Sequence, residues 1–161
     1  MGEYFLMSYH FNKETAIDFG LYPIDENTAI NLNDNSLWKK SNLYDFGWGQ
    51  ECGYIKLPLP DRVLLFDIVL HSTSKDDVYG SASMILKDYP EELLRLCEDL
   101  ISKNRQNGEL KRLIKVFNLK TPINRSKTTG KDFSQICNDF ERWKYISKKT
   151  QTIRGRFSDC D

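Results

Sequence analysis

Two histidines and four cysteines are the side chains best suited to nucleophilic, acid–base or metal chemistry in this 161-residue chain. His71 follows Asp67 at i+4, so on a helix the two share a face, as a carboxylate orienting an imidazole requires. A nucleophile at Cys52 or Cys97 would complete such a set only through tertiary contact. The plainer expectation is a local helix hydrogen bond beside a buried structural thiol, because free cysteine is commonly a small core residue. Cys52, Cys97, Cys137 and Cys160 contain no close pair, and with only two histidines they lack the spacing that preorganises zinc ligands. No metal and no cofactor is expected. Asp76-Asp77 and Glu91-Glu92 are adjacent acids aimed at different helix faces, and they read as helix-start charges rather than an acid–base pair.

Thr128-Thr129-Gly130-Lys131 has part of a phosphate loop, but Arg125 stands where its first glycine belongs and Asp132 where its magnesium hydroxyl belongs. Nucleotide binding there is not expected. Phe46-Gly47-Trp48-Gly49-Gln50-Glu51 is more unusual, since a tryptophan between two glycines has little local structure to cover it. Trp48, flanked by Asp45 and Glu51, is the candidate partner-binding group, an aromatic anchor beside acids. Its competing fate is to fold back over the core edge.

These residues need elements to hold them. Tyr4–Phe11, Thr28–Leu32 and Cys52–Leu57 are short aromatic or β-branched runs separated by turn-rich stretches, which predicts a small irregular β region over 1–58. After Pro58-Leu59-Pro60 the pattern shifts to a period near 3.6. Asp61 caps a run to His71, read as helix although a buried strand fits its apolar block. Ser74 with Asp77 forms an acidic capping box for a segment whose Val78, Ala82, Ile85 and Tyr89 share a face, and Gly80 weakens it while allowing close helix packing. Pro90 opens the next helix, with Leu93, Cys97, Leu100 and Ile101 inward and Asn107-Gly108 as its stop. Leu110, Leu113, Ile114 and Phe117 mark a short helix, and Phe133, Ile136, Cys137, Phe140 and Trp143 the buried stripe of a last one. The expectation is one α+β domain over 1–161, with a helical body of stacked antiparallel α-hairpins over 61–150 and a flexible tail over 151–161.

Charge is balanced at 23 basic and 23 acidic residues, yet residues 1–100 hold 8 basic and 17 acidic, a net of −9, and the remainder carries +9. The basic part, Lys111, Arg112, Lys115, Lys144, Lys148, Lys149, Arg154 and Arg156, supports an alternative reading as a nucleic-acid surface, with Trp143, Tyr145 or Phe157 stacking on bases. Core burial is the more frequent fate of Trp143 on its apolar stripe. The start has an acid where a secretory signal has its basic region, and the longest apolar run, Val63 to Leu70, is too short for a bilayer and contains Asp67. A cytoplasmic location with reduced thiols and no membrane association is expected.

The run Asp61-Arg62-Val63-Leu64-Leu65-Phe66-Asp67-Ile68-Val69-Leu70-His71, with Asp76-Asp77-Val78-Tyr79-Gly80-Ser81-Ala82 and Tyr89-Pro90-Glu91-Glu92-Leu93-Leu94, resembles small bacterial toxin-immunity proteins with a helical, HEAT-like body. The resemblance covers about forty residues and includes no diagnostic motif. It implies a protein partner, a cognate toxin neutralised by covering its active surface, without chemistry of the chain's own. Those families share no fixed functional residues. The expected function is therefore non-catalytic protein binding.

Overall fold

The computed structural model describes residues 1–7, 10–11, 14–45, 49–103 and 108–155, with side chains for all of these except 44, 45, 49–51 and 152–155. The fold is α+β, a five-stranded antiparallel sheet followed by five helices. The chain forms two compact units, Met1–Ile85 and Leu86–Asp161.

The first unit contains the sheet. Strands β1 (Phe5–Leu6), β2 (Leu21–Pro23), β3 (Thr28–Asn31), β4 (Leu37–Asp45) and β5 (Gly49–Lys56) lie in the order β1-β5-β4-β3-β2. Leu6, Leu21, Ala29 and Trp38 form a buried cluster on one face, with Phe11, Ala16, Phe19 and Tyr54 packed against it. The Trp38 indole N–H donates to Ser36 Oγ at 2.8 Å, so this large ring is buried without orphaning its donor. On the opposite face Phe5, Leu43 and Ile55 are buried.

Two helices complete the unit. Helix α1 (Arg62–His71) begins as its sequence directs, Asp61 Oδ1 accepting the Leu64 N–H at 2.8 Å. Helix α2 (Lys75–Asp88) meets β1 through Gly80, where an added Cβ would stand 2.2 Å from the Phe5 ring. The missing side chain is therefore the seat for Phe5.

Helices α3 (Pro90–Ser102), α4 (Gly108–Val116) and α5 (Phe133–Gly155) follow. Leu93, Leu94, Cys97, Leu100, Leu110, Leu113, Trp143 and Ile146 are buried. Pro90 opens α3, as expected. Gly108 does not close that helix, for α3 ends at Ser102 with Lys103 in the right-handed region as its cap, and Gly108 begins α4. Asn107 lies outside the described residues.

Several strand expectations change. Among the described residues of Tyr4–Phe11 only Phe5–Leu6 is strand, because the backbone before it bonds to Asp77 and His10 N–H donates back to Met7 O at 3.4 Å; Ser8 and Tyr9 lie outside the described residues. Strands β2 and β4 were not foreseen. Strand β4 reads Leu-Trp-Lys-Lys-Ser-Asn-Leu-Tyr-Asp, which is polar and without β-branching, so only pairing on both sides reveals it.

Candidate functional site

The strand register gives the β4–β5 hairpin an unusual reach. Its ladder runs from Trp38↔Lys56 to Asp45↔Gly49, yet β3 covers β4 only at Leu37–Lys39 and β1 covers β5 only at Tyr54–Ile55. Beyond those points Ser41–Asp45 and Gly49–Gly53 pair only with each other among the described strands. A two-stranded arm results. Gly53 belongs to its base, since a Cβ there would lie 2.6 Å from Leu6 O and 2.8 Å from Leu43 Cδ1. Cys52 Sγ donates across the arm to Asn42 Oδ1 at 3.3 Å. Asp45 ends β4 and Glu51 lies in β5 opposite Leu43. Trp48, in the connection between the strands, lies outside the described residues.

At the start of α2 the structure gathers a polar cluster that the sequence did not foretell. Asp77 accepts three backbone N–H bonds, from Glu3 at 2.8 Å, Tyr4 at 2.8 Å and Phe5 at 3.0 Å. Asp76 lies within 3.0 Å of both the Met1 amine and His10 Nε2. Both carboxylates are buried. The expected capping box is thus half made: Asp77 N–H donates to Ser74 Oγ at 3.3 Å, but the Asp77 carboxylate serves the N-terminal segment while Ser74 N–H donates to Ser72 Oγ. The adjacent acids are more than helix-start charges, because without Asp77 the buried Phe5 amide and the part-buried amides of Glu3 and Tyr4 would lose their acceptor. No local signal announces contacts across 66 to 74 residues.

The foreseen Asp67–His71 pair exists as a solvated i,i+4 contact of 3.8 Å with both side chains exposed. Cys97 is fully buried in α3, and burial pushes its thiol up to about 12, which leaves no thiolate for nucleophilic work near neutrality. Among the described residues no group of three or more His, Cys, Asp or Glu side chains is placed to hold a metal ion.

In the second unit Lys131 is not available to a phosphate. Its ammonium lies 2.6 Å from Asp139 and 3.0 Å from Glu91, and these bonds raise its pKa, Asp139 contributing most. Arg142 continues the network with hydrogen bonds of 2.8 and 2.6 Å to Glu98, which joins α5 to α3. Arg125 gives all five of its hydrogen bonds to carbonyls of Phe117, Asn118, Thr121 and Ile123, and its guanidinium lies 5.3 Å from the Trp143 ring centre. It caps the chain leaving α4.

The basic candidates are spread over two helices. Lys111, Lys115 and Lys148 are exposed and Arg112 is half-buried. Lys144 pairs with Glu141 at 3.1 Å, and Lys149 lies 5.4 Å from the Tyr145 ring centre. The Arg154 side chain and all of Arg156 and Phe157 lie outside the described residues, as does Cys160. Trp143 is 0% exposed and donates to Ser126 Oγ at 3.1 Å, so it cannot stack on a base. Of the rest of the foreseen α5 stripe Ile136 is half-buried, but Phe133 is 82% exposed and Cys137 and Phe140 are exposed, while Asp139, Trp143, Ile146, Ser147 and Thr150 face inward. The buried face is rotated because the Asp139 and Trp143 bonds fix it.

No described helix is long and apolar enough to cross a membrane. No protein-family model, no curated protein and no solved structure matches the chain.

Proposed function

We propose that this chain is a cytoplasmic, non-catalytic protein-binding module that neutralises a bacterial toxin by covering its active surface. The observation that carries the reading is the β4–β5 arm, which extends past β1 and β3 and bears Asp45 and Glu51 beyond them. An aromatic residue beside acids, offered on a paired scaffold, suits the centre of an interface with a basic target. Residues 1–85 hold 6 basic and 12 acidic side chains, so the unit bearing the arm has the sign that captures a basic cleft.

The test is recovery of the tagged protein from its native host, with and without nuclease, followed by mass spectrometry of what accompanies it. One nuclease-resistant partner in equal proportion is expected, with recovery reduced about tenfold or more by Trp48→Ala at little cost in thermal stability. Nuclease-sensitive, heterogeneous material would overturn this reading in favour of the basic helices.

A further inference from the structure

We infer that the outer edge of β4 at Asn42 and Tyr44 is a strand-addition site for an extended partner segment with acidic residues at its C-terminal end. The inference rests on the protein-binding reading and names the kind of segment bound. Leu57 N–H donates to Leu37 O at 2.7 Å, so odd-numbered β4 residues turn their backbone groups to β5 and even-numbered ones turn theirs to β3. The Lys40 N–H donates to Asn27 O at 2.7 Å, the last backbone bond on that side among the described residues. Asn42 and Tyr44 continue the edge with no described strand beside them. Their N–H and C=O groups are a template for a strand prolonging the line of β3.

The β2 edge of the sheet does not offer this. In β2 the outward groups are those of Leu21 and Pro23, and Pro23 has no N–H to give. Charge selects the occupant of the β4 edge. Lys39 and Lys40 are exposed at its base, and neither has a carboxylate partner among the described residues. They lie on the part of β4 already bordered by β3 and Asn27, so they do not guard the open stretch. A segment antiparallel to β4 runs from the arm's tip to its base, which brings its C-terminal end beside these ammonium groups.

Amide hydrogen exchange on the full chain decides the matter, with acetyl-Thr-Val-Thr-Val-Thr-Glu-Glu-amide as the probe and its Lys-Lys counterpart as control. The acidic probe should slow exchange at Asn42 and Tyr44 by about tenfold, the basic one should not, and Lys39→Glu with Lys40→Glu should abolish the effect. Unchanged exchange with the acidic probe overturns the inference. So does protection at these amides that grows with protein concentration alone, which would give the edge to a second copy. A captured partner that leaves both amides unprotected removes this inference and spares the binding reading; failure to capture any partner tells against that reading while the probe still decides the edge.

Discussion

Asp77 shows how one side chain can organise a unit without any sign of it in the local sequence. Its carboxylate is the shared acceptor for the N–H groups of Glu3, Tyr4 and Phe5, and Phe5 is itself fully buried. Replacing it by alanine leaves those donors unmatched, and a loss of about 3 kcal/mol is expected from the denaturant midpoint, against about 1 kcal/mol for removing the ordinary cap with Asp61→Ala. Equal losses would show that solvent takes over the amides. Gly80→Ala sets two effects against each other. Helix propensity gains about 1 kcal/mol, whereas overpacking a core costs about 1–3 kcal/mol. With the Phe5 ring 2.2 Å from the new Cβ and fully enclosed, packing wins and the variant should melt lower than the parent. The same residue scale fixes a pH response. Burial holds the Cys97 thiol at about 12 against its ordinary 9.0, so between these values the unfolded chain sheds a proton that the folded chain keeps. Stability present below pH 9 should therefore decline as pH rises toward 12, by up to about 1.4 kcal/mol per unit, and Cys97→Ala should flatten that slope in urea titrations. The thiol's burial was legible in sequence and so was a close approach at Gly80, though it was expected from a helix and comes from Phe5 of β1; the partners of Asp77 were not legible, because they lie 72 to 74 residues away.

Elements whose signals are local were readable, and those defined by neighbours were not. Asp61 and Pro90 announce their helices because a cap or a fixed φ acts within one turn. Strand β4 has no such mark, and its extent is set by an eight-pair ladder to β5 that begins beside Trp38. Asp45 and Glu51 could be singled out in sequence, but the arm that bears them depends on where β1 and β3 stop. Helix α5 failed in a different way. Its period was right and its phase was not, since Phe133 and Phe140 satisfy the same spacing as Trp143 while standing outside. The inward face is the one on which Asp139 accepts a hydrogen bond from Lys131 and Trp143 donates one to Ser126, against the apolar pattern. Thermal denaturation should separate the two classes: Trp143→Ala is expected to cost about 3–5 kcal/mol, and Phe133→Ser less than about 0.5 kcal/mol. A comparable loss for Phe133→Ser would mean that this ring is covered in solution.

For the whole molecule, the composition boundary is not the folding boundary. Aromatic and turn-rich sequence gives way to helical periodicity at Pro58–Pro60, yet the first compact unit extends to Ile85. The reason is physical. Residues 1–58 contain all five described strands, but β1 reaches its hydrogen-bond acceptor and its packing seat only in α2, at Asp77 and Gly80. An edge strand of two residues cannot hold itself against β5 when its amides have no acceptor and Phe5 has no cover. Without it the β5 edge also opens, leaving a sheet whose remaining core is Leu21, Ala29 and Trp38 with the flanking aromatics. A chain of that length buries too little apolar surface to offset its ordering entropy. A fragment of residues 1–58 should accordingly give collapsed amide dispersion in its proton–nitrogen NMR spectrum and, in a Trp48→Phe background, Trp38 fluorescence at the wavelength of a solvated indole. A dispersed spectrum from that fragment would show that the Trp38 cluster carries the sheet alone, and would move Asp77 from organiser of the unit to an attachment of its edge.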